Sequence, residues 1–238
     1  MKLLLVNLLL ILSSCKKDSA AVLFNQPDTS AVVSQSFSFL ALGDSYTVGQ
    51  NVGQPDSYPY LLSKSLSAET PSWKASPITV IAQTGWTTDN LITAISGKNI
   101  TGKFDIVTLL IGVNNQFRGY SPAAYRQEFI ALLNTALKLA NGDKSKVFVL
   151  SIPDWGATPY GSSYNREQIA REIDEFNAIN KDETVKAGID YTDVTAISRM
   201  ALTDKSLIAN DGLHPSGKMY QSWVDILAPK ILLRLKNN

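Results

Sequence analysis

The sequence holds one cysteine and one histidine. A single cysteine leaves no internal disulfide framework. A single histidine argues against a zinc or iron centre built from several imidazoles, so no metal and no other cofactor is expected. Whatever imidazole chemistry the chain performs must come from His214. An excess of one charge is also missing: Lys plus Arg is 22 and Asp plus Glu is 21. The basic footprint of a nucleic-acid binder is therefore absent, and no nucleic-acid partner is expected. Nor does any apolar run reach the roughly 20 residues that a permanent membrane-spanning helix needs.

What is present begins with Met1-Lys2 and a short apolar run from Leu3 to Leu12, interrupted only by Asn7. That is the length of the apolar part of an export signal. Leu12-Ser13-Ser14-Cys15 follows and resembles a bacterial lipobox, whose cysteine becomes lipidated. Residues 1–15 are accordingly expected to be a lipoprotein signal peptide. Residues 16–35, polar and small, read as a flexible tether, and 36–238 as one domain. The expectation is an exported lipoprotein of the cell envelope, facing the periplasm or the cell surface and held to the membrane by a lipid on Cys15. An ordinary secretory signal is the alternative. A monomer is expected.

The rest of the chain alternates two kinds of pattern. Continuous apolar runs at 37–42, 78–82, 104–111, 147–152 and, more weakly, 189–194 suit strands covered on both faces. Between them lie helical stripes. Ser121-Pro122 opens one that carries Tyr125, Phe129, Leu132, Leu133 and Ala136 and stops at Asn141-Gly142. Ile169, Ile173, Phe176 and Ile179 form another, and Leu91, Ile92 and Ile95 a shorter one. A last helix runs over about 216–235, with a kink expected near Pro229, and an opening helix lies near 58–68. Strand and helix in alternation predict an α/β sandwich with a mostly parallel five-stranded sheet. In such sheets ligands bind beyond the carboxyl ends of the strands.

Four polar motifs fall at such ends. Gly43-Asp44-Ser45-Tyr46 leaves the first strand, Thr84-Gly85-Trp86-Thr87-Thr88 the second, and Gly112-Val113-Asn114-Asn115 the third. Asp211-Gly212-Leu213-His214-Pro215 precedes the final helix. Each alone also reads as a turn or a helix cap. Chemically, an asparagine amide can donate to an oxyanion without carrying charge. A carboxylate three residues before a histidine can orient one ring nitrogen while the other faces a nucleophile.

In this order the four motifs resemble the blocks of the SGNH/GDSL hydrolase family, and the match spans Gly43 to Pro215. The resemblance implies a flavodoxin-like three-layer α/β/α sandwich and a serine esterase working through an acyl-enzyme. It implies Ser45 as nucleophile, His214 as general base and Asp211 as its orienting carboxylate. The backbone N–H groups of Ser45 and Gly85 and the side chain of Asn114 would form the oxyanion hole. Asn115 departs from the family pattern, which more often has aspartate there. Tyr46, Trp86, Phe117, Trp155 and Tyr160 lie on or near the loops that would surround this site, and Tyr46, Trp86 and above all Trp155 are taken as its pocket. The expected substrate is a small-molecule or glycan ester of acetyl or short-chain type, with a lysophospholipid also open. The alternative is an inactive hydrolase-fold lipoprotein that binds glycans. A metal-dependent phosphohydrolase would want more His and Asp at the strand ends.

Overall fold

The computed structural model describes residues 35–69, 73–98, 100 and 102–235. The expected signal segment, Cys15 and the tether up to residue 34 lie outside the described residues. Two strands come first, β1 (Gln35–Phe37) and β2 (Phe39–Gly43), then a single-turn helix α1 (Ser45–Val48) and α2 (Tyr58–Glu69). β3 (Trp73–Ala75) and β4 (Thr79–Ala82) lead to α3 (Thr88–Gly97) and β5 (Ile106–Leu110). The short α4 (Val113–Phe117) and long α5 (Pro122–Leu139) precede β6 (Val147–Leu150). The chain ends through α6 (Arg166–Lys186), β7 (Asp190–Thr192), α7 (Thr195–Arg199) and α8 (Gly217–Leu235).

The main sheet runs β4-β2-β5-β6-β7, and every pairing is parallel. Counted on its own this is the 2-1-3-4-5 order of a flavodoxin-like sheet. Its three central strands are buried along their whole length, which is why their sequences are apolar runs, interrupted only by Thr108. The edge strands β4 and β7 are only partly buried, and β7 gave the faintest signal. Helices α2 and α8 pack together, while α3, α5 and α6 pack side by side as a second layer. Right-handed crossovers in this strand order put those two groups on opposite faces of the sheet.

One feature departs from the sequence reading: β1 and β3 form a separate two-stranded parallel sheet that the apolar pattern does not mark. Helix α8 spans Gly217–Leu235, close to the expected 216–235, with Pro229 inside it. The carbonyl deprived of a partner by Pro229 is that of Asp225, and both residues are exposed, so solvent can satisfy it. Among the described residues no helix is long and apolar enough to cross a membrane.

Candidate active site

The sheet register places three of the motifs side by side. Gly43, the last residue of β2, pairs with Ala82 on one side and Leu110 on the other. The segments that follow all three strands therefore start at the same height, where the strand order reverses and a crevice forms. Gly43 is required there by close approach: a Cβ on it would lie 2.1 Å from the Thr47 hydroxyl and 2.3 Å from the Leu110 carbonyl oxygen.

Asp44 caps α1, its Oδ1 accepting the Tyr46 N–H at 3.0 Å. Ser45 is then the first helical residue, 5% exposed, and its N–H belongs to a helix turn that leaves such donors without intrahelical partners. Gly85 takes a left-handed conformation, φ +84°, that strains any side-chain-bearing residue. Its carbonyl is held by the Arg118 guanidinium at 2.7 Å. Asn114, on α4, donates one amide hydrogen to the Trp86 carbonyl at 2.9 Å. That bond ties the second motif to the third and leaves the other amide hydrogen for a ligand.

The fourth motif is pinned by an antiparallel bridge between Ile208 and Pro215 and by the Ala209 N–H donating to the His214 carbonyl at 2.8 Å. Asp211 Oδ1 accepts the N–H groups of Leu213 and His214, each at 3.0 Å, and Oδ2 meets His214 Nδ1 at 2.6 Å. Asn51 Nδ2 donates to the same Oδ2. Burial pushes the Asp211 carboxyl upward, but the bonds from the His214 ring and the two backbone N–H groups outweigh it and hold it below its ordinary value. With Nδ1 engaged, His214 has Nε2 left over. The imidazole also packs against Tyr46, with ring centres 5.9 Å apart.

Ser45, Asn114 and His214 share the wall of one cavity of about 220 Å³, completed by Tyr46, Val113, Phe117, Trp155, Tyr160 and Leu213. No hydrogen bond joins the Ser45 hydroxyl to His214; such bonds are often long before substrate enters. Gly85 is not part of that wall. Trp86, expected in the pocket, is not among the residues lining this cavity and is partly buried against the core. Among the described residues no three His, Cys, Asp or Glu side chains gather in a group able to hold a metal ion.

Asn115 is fully buried and both ends of its amide are engaged on α3: its Oδ1 accepts the Thr88 N–H at 3.1 Å and its NH₂ donates to the Thr88 hydroxyl at 2.7 Å. The Thr88 hydroxyl in turn donates to Glu128. An amide both gives and accepts here, which a carboxylate does not.

Asp44 lies beneath Ser45 and is fully buried, with Oδ2 lacking a partner. Burial raises its pKa to about 7, against hydrogen bonds from Tyr46, its own backbone and Gly112. Because the folded value exceeds the unfolded one, the stability this group contributes is full below pH ~4 and is lost as pH rises through about 7. Between pH 5 and 8 the loss amounts to about 2–3 kcal/mol. Asp44→Asn keeps the acceptor for Tyr46 but cannot ionise. Urea midpoints of the two proteins should therefore converge, or cross in favour of the variant, by that amount over this range. A difference that does not change with pH contradicts a protonated Asp44.

A flavodoxin-like sandwich with a serine, a carboxylate-held imidazole and an amide around one small cavity at its switch point has the architecture of a serine hydrolase acting on esters. The GDSL-like Lipase/Acylhydrolase family matches residues 41–222, and the chain belongs to that family. No curated protein matches the sequence. Among solved structures, a lipase/acylhydrolase from Enterococcus faecalis superposes with TM-score 0.64 at 19% identity, over 83% of this chain and 96% of that one. The psychrotrophic esterase EstA from Pseudoalteromonas sp., inhibited by monoethylphosphonate, gives 0.61 at 19% identity, over 85% and 100%. The acetylxylan esterase Axe2 from Geobacillus stearothermophilus gives 0.61 at 19% identity, over 85% and 95%. At such identities these are likenesses of fold.

Proposed function

We propose that the protein hydrolyses short-acyl carboxylic esters through Ser45, His214 and Asp211. The observation that carries this reading is the Asp211–His214 bond of 2.6 Å, on an imidazole that shares a small cavity with Ser45. Asp211 fixes the tautomer, so Nε2 accepts the Ser45 proton as the hydroxyl attacks the ester carbonyl. The free amide hydrogen of Asn114 and the N–H groups of Ser45 and Gly85 receive the oxyanion. His214 passes the proton to the leaving alcohol, and water repeats the sequence on the acyl-enzyme. Cavity size sets the acyl group: about 220 Å³ is below the ~300–1,000 Å³ of pockets that enclose drug-sized ligands. An exported, lipid-anchored setting, resting on the Cys15 motif, belongs to the same proposal and favours extracellular substrates.

Two measurements test it together. Activity on p-nitrophenyl esters should be highest at acetyl to butyryl and at least tenfold lower at palmitoyl. A fluorophosphonate should inactivate the enzyme with one equivalent bound, at Ser45 by peptide mass. Labelling at another residue removes Ser45 as nucleophile, and a palmitoyl optimum removes the short-acyl reading.

A further inference from the structure

Behind the wall formed by Phe117 and Trp155 lies a second hollow of about 350 Å³, to which both rings also belong. Its character differs from that of the first. Beyond the shared aromatics it is edged by Tyr164, Asn165, Gln168 and Glu172. Three aromatic rings stand in the open here: Phe117 is 50% exposed, Tyr160 41% and Tyr164 46%. They form one cluster around the buried Trp155, whose ring centre lies 5.3 Å from Phe117, 6.1 Å from Tyr160 and 5.1 Å from Tyr164.

Trp155 is fixed by a relay of amides. Its Nε1 donates to Gln116 Oε1 at 2.7 Å, and Gln116 Nε2 donates to Glu172 Oε2 at 2.7 Å. Gln168 Nε2 donates to the other Glu172 oxygen at 2.8 Å. From the opposite side the buried Asp154 caps the turn that begins at Trp155 and is itself held by Arg199 at 2.8 Å. The tryptophan is thus a rigid partition between two compartments, not a mobile plug.

The lining decides the occupant. An alkyl chain seated in the second hollow would strip water from Glu172, Gln168 and Asn165 and return no hydrogen bonds, which is costly. A pyranose ring has a C–H face that packs on aromatic rings and an equatorial rim of hydroxyls. Each Glu172 oxygen retains acceptor capacity for such a hydroxyl, and the Tyr164 hydroxyl and the exposed amides can give and accept more.

Resting on the esterase reading above, we propose that the second hollow binds the alcohol portion of the substrate and that this alcohol is a sugar. The acyl group lies beside Ser45, and the sugar reaches the second hollow over the exposed Phe117 ring, around the fixed Trp155. The acyl C–O bond to the sugar breaks as the Ser45 oxygen takes the acyl group. The Ser45 proton, carried by His214, ends on the sugar oxygen. Water then releases the acid.

The test compares p-nitrophenyl acetate, which has no sugar, with a per-O-acetylated methyl pyranoside, on wild type, Tyr164→Ala and Tyr164→Phe. The Tyr164 side chain is at the surface and outside the reacting groups. Each variant should lose at least tenfold in kcat/KM on the acetylated sugar, mainly through KM, and stay within twofold on p-nitrophenyl acetate. Equal losses on both substrates would mean a structural effect and overturn the proposal. So would unchanged activity on the sugar ester. If p-nitrophenyl acetate is cleaved in a Ser45-dependent way while neither variant alters sugar turnover, the groove assignment alone fails. If a folded wild type cleaves neither ester, the esterase reading fails with it.

Discussion

Ser45→Ala should lower kcat on p-nitrophenyl acetate by roughly 10⁴- to 10⁶-fold, and adding His214→Ala should cost almost nothing more. A base without a nucleophile, or a nucleophile without a base, leaves only the oxyanion donors and binding, so the two losses do not add. The fold should not register the first change. Ser45 is the first residue of a helix capped by Asp44, and its hydroxyl is engaged by no other side chain among the described residues. Its backbone carbonyl accepts from Gly49 and Gln50, which alanine preserves. The measurement is a double-mutant cycle on kcat with thermal midpoints run in parallel. An unchanged midpoint with lost activity isolates the chemistry. A Ser45→Ala enzyme retaining a tenth of wild-type turnover, or a double variant showing the product of the two single losses, would separate the serine from the imidazole and undo the mechanism.

Sequence and structure agree most closely where burial is complete. β2, β5 and β6 are covered on both faces, so their side chains are apolar except for Thr108, whose hydroxyl is bonded to Tyr58, and the runs stand out. Pairing of β1 with β3 had no such mark, because strands of three residues are too short for a period to appear. Three of the four GDSL family blocks were readable because each follows a strand whose register with its neighbours is set by the sheet; the fourth was readable from its position before the final helix. What surrounds them was not. Asn51 reaches Asp211 across 160 positions of sequence, from a loop whose glycines and polar residues signal only a turn. The same holds for Gln116 and Glu172, which look like ordinary polar residues on helices until Trp155 is seen between α4 and α6.

Asp211→Asn is expected to reduce kcat by about 10⁴-fold while leaving KM within a few-fold. The reasoning lies in the donors around this carboxylate. One oxygen receives two backbone N–H groups, and the other receives the His214 ring and the Asn51 amide. All four are donors, and an ionised carboxylate accepts them all. A carboxamide accepts with one atom only. With its NH₂ toward His214 it confronts Asn51 and forces Nδ1 to become the acceptor. The ring proton then sits on Nε2, where it cannot take the Ser45 proton. With the amide turned over, its NH₂ faces the N–H groups of Leu213 and His214 instead, and the turn carrying the histidine is disturbed. Neither orientation keeps both the working tautomer and the turn that carries the histidine. Because hydrogen bonding holds the Asp211 carboxyl below its ordinary value, the wild-type enzyme should show no loss of activity from this group anywhere above pH 5. Steady-state kinetics from pH 5 to 9 on both proteins decide the matter. A loss smaller than tenfold would reduce Asp211 to a cap for the Leu213–His214 turn, and the orientation of the base would have to come from Tyr46, the other group packed against the imidazole ring.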